Sequence, residues 1–328
     1  MNSITTTVID AGGRYGLHPN WKPFSGELGY YLFEPDFLEV QRLKEKYRSR
    51  TGEIFIYDRA LGKECGELEI NFFYNRAMST SVERHKDRIT FVGEKKGETK
   101  VVRKEKVLMT TIDEFCSGKK FDVDFLKLDT EGTEFQILGG GVGQLNKSVM
   151  GVRCEVNFDH VFKGMPIFST IHDFMLQHDF FLLNLGYRGQ GYPLNEFVSV
   201  NSQYGIIRDC DAVWLKRKAV LFGRSFKAGQ ETGVKVLKYA AFCLLNMASD
   251  VAVDVLLEAR QKQGVDFTDL KDTRLYSFMD VQLHRLFYSL KWQPAQSLKK
   301  HRKAYNDIFG KDMKELHEFN QSSELNPD

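Results

Sequence analysis

The sequence predicts an α/β fold, a doubly wound and mostly parallel sheet of seven strands, followed by an α-helical C-terminal region. Three observations carry this. Short β-branched or aromatic runs alternate with amphipathic stretches through the first 218 residues. Carboxylates stand at the ends of several of those runs, next to glycines. After Lys218 the strand signals stop and helical periodicity takes over.

Taken in order, the expected strands are Thr5–Asp10, Tyr30–Phe33, Ile54–Tyr57, Phe125–Asp129, Gly151–Val156, Phe180–Leu185 and Ala212–Leu215, each a short run of residues that suit a buried sheet. Between the third and fourth, Leu68–Tyr74, Ile89–Val92 and Val101–Met109 read as extra strand or loop material. The charged run Glu94–Glu105 reads most simply as a solvated hairpin. Beyond Lys218, Val234, Leu237, Ala241, Leu244, Ala248, Val251 and Val255 fall on one helical stripe. Val236, Ala240, Cys243 and Met247 make the neighbouring face apolar too, which is the pattern of a helix buried on more than one side. The expected division is a sheet domain over 1–218 and a helical region over 219–328, the latter a wall, a partner contact or a homodimer contact. Asn320–Asp328 read as a frayed end.

Composition narrows the function classes. Forty-six basic residues against forty-four acidic leave a formal charge of +2, too small for the field of a dedicated nucleic-acid binder. The short basic cluster Lys299–Lys303 reads as a solvated helix face. Five scattered cysteines without a C-x-x-C pair indicate reduced thiols and no structural zinc. No signal-peptide pattern opens the sequence and no apolar run is long enough to span a bilayer, so the expectation is a soluble, cytoplasmic protein with no transmembrane segment.

Chemistry appears first in Val8-Ile9-Asp10-Ala11-Gly12-Gly13-Arg14-Tyr15-Gly16, where a strand ends in a carboxylate and a glycine-rich turn follows. A backbone without Cβ atoms lets a nucleotide-like ligand approach closely. Glu34 ends the second strand, 18 residues beyond Gly16, and a carboxylate there can accept both hydroxyls of a ribose. These two features suit a nicotinamide cofactor as well as S-adenosylmethionine. Asp129 and Glu131, two apart at the end of the fourth strand with Gly132 behind them, discriminate: hydride transfer leaves them unexplained.

The set Ile9-Asp10-x-Gly12, Phe33-Glu34-Pro35, Ala60-Leu61-Gly62, Thr111-Ile112-Asp113-Glu114 and, above all, Lys127-Leu128-Asp129-x-Glu131-Gly132-x-Glu134 resembles the FkbM family of S-adenosylmethionine-dependent methyltransferases, in order and in spacing. The resemblance runs from about residue 8 to residue 215, including Cys154–Phe158 and Gly186-Tyr187. It implies a Rossmann-like class I methyltransferase fold and O-methylation of a hydroxyl on a sugar, glycan precursor or specialised metabolite. It also implies that Asp10, Gly12 and Gly16 cradle the methionine end of the cofactor, that Glu34 holds the ribose, and that the Asp58–Leu61 turn, with Ala60, borders the adenine. Three departures stand out. Arg14 occupies a place usually held by a small polar residue, and either reaches the methionine carboxylate or faces solvent. Little precedes the first strand, and the helical region lies outside the shared motifs.

Methyl transfer to oxygen needs alignment and a base for the hydroxyl proton. Glu131 and Asp129 head the candidates, with Asp129 the more inclined to a cofactor-ordering role. Glu155, at the end of the fifth strand, and His160, in the following loop, are the second pair. Asp129, Glu131 and Glu155 have the oxygen donors for a divalent ion, but no metal is expected. Ser79-Thr80-Ser81, with Arg76 and His85, reads as polar surface or as a segment folded over the substrate. Phe158, Phe162, Phe168 and Tyr187 read as core. Two rivals remain at this point: an NAD(P)-dependent oxidoreductase, and a non-catalytic methyltransferase-like interaction protein.

Overall fold

A computed structural model gives the fold and describes residues 5–50, 52–85, 97–188, 207–221, 223, 230–289, 295–311 and 313. The elements run β1 (Thr6–Ala11), β2 (Leu28–Phe33), α1 (Phe37–Lys46), β3 (Ile54–Tyr57), β4 (Ala60–Leu61), β5 (Gly66–Phe73), β6 (Val101–Thr110), α2 (Ile112–Lys119), β7 (Phe125–Leu128), α3 (Glu134–Gly139), α4 (Val142–Lys147) and β8 (Gly151–Asn157). They continue with α5 (Phe168–Gln177), β9 (Phe180–Arg188), β10 (Asp209–Lys216), α6 (Lys218–Leu221), α7 (Gln230–Leu245), α8 (Ser249–Gln263), α9 (Arg274–Ser289) and α10 (Ala295–Phe309).

Contacts divide the chain into two units. One comprises Thr7–His18 and Leu28–Leu221; the other comprises Met1–Thr6, Pro19–Glu27 and Phe222–Asp328. The first holds a seven-stranded sheet in the order β3-β2-β1-β7-β8-β10-β9 and a three-stranded sheet in the order β4-β6-β5. All seven strands expected from the sequence lie in the larger sheet. β1, β7 and β8 are parallel, and β10 runs antiparallel to both its neighbours. The order reverses between β1 and β7, the switch point at which open α/β sheets leave a crevice at the carboxyl ends of their strands.

Strand alternation sorts the side chains. Ile9, Ala11, Leu126, Leu128, Val152, Cys154 and Val156 face one way, into a core with Ile112, Phe115, Leu138, Leu145, Met175 and Trp214. The residues between them put Asp10 beside Lys127 and Lys127 beside Arg153 on the other face. Helix starts are written locally. Asp36 caps α1 by accepting from Leu38 N, and Thr111 caps α2 by accepting from Glu114 N at 3.0 Å. The Thr111–Glu114 motif is thus a helix start, and Asp113 within it accepts from Gly143 N and Gln144 N, both at 2.8 Å, at the head of α4.

The charged run after Glu94 differs from its expected form. Its described part enters β6, which pairs with β5 in the small sheet, so Arg103 is drawn inward to Asp36 at 3.0 Å, while Lys104 and Lys106 face Glu69 and Glu67. Ile89–Val92 lies outside the described residues.

In the helical unit, Trp21 and Phe24 are buried against Phe242 and Phe278, with ring centroids 6.3 and 5.1 Å apart, and the Glu27 carboxylate accepts from Arg274 N and Leu275 N at the start of α9. Those contacts explain why Pro19–Glu27 belongs to this unit. The apolar stripe from Val234 to Val255 is not one helix. It breaks at Asn246–Ala248, where Met247 takes φ +60° and α8 folds back on α7. Periodicity continues through the break because both helices bury the same kind of face, with Leu237, Ala241, Ala252 and Val255 all inside. Among the described residues no helix is long and apolar enough to cross a membrane.

Candidate functional site

Three cavities open at the carboxyl ends of the parallel strands, all within the sheet unit. The first spans about 670 Å³, its open mouth included, and is bordered by Gly12, Glu34, Ala60, Asp129 and Glu131. The second, about 700 Å³, is bordered by Arg84, Glu131, Glu155, Asn157 and Arg208. The third, about 330 Å³, is bordered by Glu134, Glu155, Asn157 and His160. Glu131 belongs to the first and second, Glu155 to the second and third.

Gly12 has φ +79°, and a Cβ there would lie 1.7 Å from the Asp129 carbonyl oxygen. The turn therefore accepts only glycine, and it is this absence of a side chain that brings the end of β1 against the end of β7. Gly16, at φ +85°, serves a different contact: a Cβ would strike the Tyr47 hydroxyl, which accepts from Leu17 N at 2.9 Å. Asp10 is not at the cavity. It is buried at 1% exposure, accepting from the Tyr30 hydroxyl and, at 3.1 Å, from Lys127 Nζ. Burial works against the Lys127 charge, but Asp10 and Asp129 more than offset it and hold the ammonium above its ordinary pKa.

Glu34 sits on the cavity wall at the end of β2, and its Oε1 accepts from Asp36 N at 2.8 Å. Burial pushes its pKa up to about 7, although that hydrogen bond and Arg14 act in the opposite direction. Arg14 neither ends in solvent nor stands unpaired: it meets Asp36 at 3.2 Å and borders the first cavity. Asp36 gathers three guanidiniums, Arg14, Arg103 at 3.0 Å and Arg76 at 3.9 Å, from the glycine turn, β6 and the turn after β5. Arg103 and Arg76 also lie over the Phe72 ring, at 4.2 and 5.7 Å. This cluster ties the small sheet to the β2 end.

The Thr130–Thr133 loop carries Glu131, and Glu134 follows it as the first residue of α3. Glu134, 4% exposed, turns back to accept from Thr130 N at 2.6 Å, Gly132 N at 3.1 Å and Thr130 Oγ1 at 3.0 Å. That fixes the loop with Glu131 in the left-handed region at φ +59°, a conformation that costs a non-glycine residue on the order of 1 kcal/mol or more. The Thr80 hydroxyl donates to the Glu131 carbonyl at 2.6 Å. Burial pushes the Glu131 carboxyl up to about 8; Asp129 and Glu134 add to the shift, and Arg84 and Arg208 oppose it. Asp129 is raised by burial and held back by Lys127, whose Nζ lies 3.5 Å away. Glu155 is raised well above the carboxylate range by burial and by its acidic neighbours Glu131, Asp129, Glu134 and Asp209.

The structure thus brings Gly12, Glu34, Ala60, Asp129 and Glu131 to one cavity, with Glu155 one cavity further. It leaves Asp10 and Gly16 in the fold's interior, and Asp58 exposed and off the lining. His160 is exposed at the mouth of the third cavity. Ser79, Thr80, Ser81 and Arg76 do line the first cavity rather than plain surface, and the segment is pinned by His85 N to Val161 O at 2.9 Å. Sequence reasoning missed Arg84 and Arg208, for which no local motif exists; it included Asn157 in the Cys154–Phe158 motif without giving it a role, and it did not see Glu134 as the residue that shapes the loop. Phe162 is buried beneath Arg84 and against Gly132, so neither face of its ring is open. Phe158 and Phe168 pack on the core, and the side chain of Tyr187 lies outside the described residues. Among the described residues no group of three or more His, Cys, Asp or Glu is placed to hold a metal ion.

Residues 26–188 match the family described as "Methyltransferase FkbM domain". Among solved structures, the chain is similar to a methyltransferase FkbM from Methylobacillus flagellatus, at 14% identity over 66% of this chain and 44% of that one, with a TM-score of 0.36. The match therefore spans less than half of that protein's length. It is also similar to TrmK of M. capricolum, solved with S-adenosylhomocysteine, at 11% identity over 93% and 92% of the two chains and a TM-score of 0.32. An uncharacterized protein from Listeria monocytogenes gives 11% identity over 93% and 91%, with a TM-score of 0.35. No curated protein matches.

Proposed function

Because the chain belongs, through residues 26–188, to the FkbM methyltransferase family, whose cofactor is S-adenosylmethionine, we propose that it is a cytoplasmic O-methyltransferase acting on a hydroxyl of a sugar, glycan precursor or specialised metabolite. The residues present suit the cofactor. Gly12, on the border of the first cavity, lets the end of β1 lie against the end of β7, and Glu34 offers a carboxylate to a diol. Ala60 and Leu61 give an apolar border, and Arg59 keeps a buried Nε with no hydrogen-bond partner among the described residues. When bound, S-adenosylmethionine supplies a methyl group on a positively charged sulfur.

The observation that carries the reading is the position of Glu131, the residue common to the first and second cavities. The second cavity, with Asn157, Arg84 and Arg208 as donors and Glu131 and Glu155 as acceptors, suits a hydroxyl-bearing acceptor. Glu131 would take the hydroxyl proton of an acceptor that receives the methyl group the cofactor would supply. Asp129, kept in place by Lys127, orders the cofactor side. The second cavity also speaks against a purely non-catalytic protein, since an acceptor has somewhere to go.

The test combines titration calorimetry and label transfer. S-adenosylmethionine and S-adenosylhomocysteine should bind, and Glu34→Ala should lose both. Tritiated methyl should move to a hydroxyl within a panel of saccharides and glycan precursors. Glu131→Gln should still bind S-adenosylhomocysteine, yet lose roughly 10²- to 10⁴-fold in transfer. Label found only on a base nitrogen of RNA would sink the acceptor assignment.

A further inference from the structure

The proposed reaction needs an ionised base, yet burial favours the protonated form of the Glu131 carboxyl, with Asp129 and Glu134 adding to that effect and Arg84 and Arg208 opposing it. Glu131 and Glu155 project into the same 700 Å³ cavity from the ends of neighbouring strands β7 and β8. The charged groups facing Glu131 are Asp129 and Glu134 from its own loop, Arg84 from the segment after β5, and Arg208 from the start of β10. Those facing Glu155 are the acidic groups Glu131, Asp129, Glu134 and Asp209 and the cation Arg208, with Glu98 and Arg84 on the same cavity lining. Arg208 is itself ion-paired with Asp209. Two half-buried carboxyls that line one cavity repel each other when both are charged, so the first to ionise makes the second harder to ionise.

The Glu131 side of the pair also borders the first cavity, where the cofactor's charged sulfur belongs on the reading above. Glu155 borders the third cavity, whose lining includes the exposed His160, so a proton on the pair has a route to solvent.

We propose that Glu131 and Glu155 act as one acidic pair that holds a single proton before cofactor binding and gives it up to solvent when the cationic cofactor binds, so that Glu131 becomes a competent base only in the cofactor complex. This rests on the cofactor assignment above. A unit positive charge a few ångströms from a partly buried carboxyl favours ionisation, and S-adenosylhomocysteine, which lacks that charge, does not. The proton balance is complete. One proton leaves the pair for solvent on cofactor binding. The acceptor's proton then replaces it on Glu131 during transfer, and is released when the neutral product cofactor has left and the next charged one arrives. Cofactor binding before acceptor is the order that follows.

The experiment is titration of the whole chain with S-adenosylmethionine, and separately with S-adenosylhomocysteine, at pH 7.5 in two buffers of different ionisation enthalpy. The difference between buffers counts protons released. Wild type should release roughly half a proton more with the charged cofactor than with the uncharged one. Glu131→Gln should abolish that excess, and Glu155→Gln should reduce it, because removing one acidic neighbour lets the other ionise beforehand. Any proton exchange by the ligand's own amine survives in both variants and is subtracted through them. Equal release with the two cofactors in wild type, or an excess unchanged in both variants, overturns the shared proton. Failure of wild type to bind either cofactor overturns the cofactor assignment instead, so the two ideas fail in different ways. Should Glu131→Gln not fold, Glu155→Gln and Glu131→Asp decide the matter through the same excess.

Discussion

Glu131 and Met247 share a backbone conformation and almost nothing else. Their φ angles are +59° and +60°, both in the region that L side chains avoid, and each lies where the chain turns sharply. Glu131 stands in the loop after β7, pinned by Glu134 and by the Thr80 hydroxyl at its own carbonyl, with a half-buried carboxyl between two cavities. Met247 stands between α7 and α8, 83% exposed. The two cases show that left-handed strain alone does not mark function. What distinguishes Glu131 is that the hydrogen bonds around it serve to hold a charge-bearing side chain where burial is costly.

The same contrast separates the two units. The sheet unit buries Asp10, Glu34, Asp36 and Glu134 at the strand ends and meets each with donors: Tyr30 and Lys127, the Asp36 amide, three arginines, and the Thr130–Gly132 amides. The helical unit buries mostly aliphatic and aromatic side chains, among them Leu237, Tyr239, Phe242, Phe267 and Met279. Substitutions in the first should therefore disturb binding and pH response, whereas those in the second should disturb stability alone.

The largest effect is expected at Gly12. Gly12→Ala puts a methyl 1.7 Å from the Asp129 carbonyl oxygen at φ +79°, and the end of β7 must move or the turn must open. A loss of about 3 kcal/mol or more in stability, with loss of cofactor binding, should appear in urea denaturation and calorimetry. Retention of both would mean that the close approach of β1 and β7 is not what shapes the cavity.

Gly12 is also where the sequence was most legible. A strand, a carboxylate and a glycine turn are all local, as is the Asp129-x-Glu131-Gly132 run, and so the sheet and half of the site could be read from spacing. Asp10 shows the limit. From sequence, a carboxylate at a strand end points at a ligand, but register sets Asp10 beside Lys127, and Tyr30 completes its coordination inside the fold. Arg84, Arg208 and Asn157 reach the second cavity from three separate segments, so no window of sequence contains their relationship. The α7–α8 turn was invisible for another reason. It has neither glycine nor proline, and the apolar period runs straight across Met247.

An intermediate effect is expected at Glu34, as a pH dependence. Its carboxyl is raised from 4.5 to about 7 by burial, so the folded state binds the proton more tightly than the unfolded chain. Its contribution to stability is present in full below pH 4.5, declines as pH rises towards 7 and is lost above it, a change of up to about 3 kcal/mol. Glu34→Gln, which cannot ionise, should therefore gain on wild type between pH 5 and pH 8 in denaturation midpoints. A gap that stays constant across this range would show that Glu34 is ionised throughout.

The smallest effect returns to the two left-handed residues. Met247→Gly relieves the steric cost of φ +60° but adds freedom to the unfolded chain, for a net gain between a few tenths and about 1 kcal/mol. Cofactor binding should not change. Glu131→Gly relieves the same cost at φ +59° and also removes a carboxyl whose burial is unfavourable, so the protein should melt no lower than wild type while methyl transfer falls as far as in Glu131→Gln. If Glu131→Gly instead destabilised the fold, the carboxyl would be contributing to the loop's structure, and its retention in a strained conformation would no longer argue for catalysis.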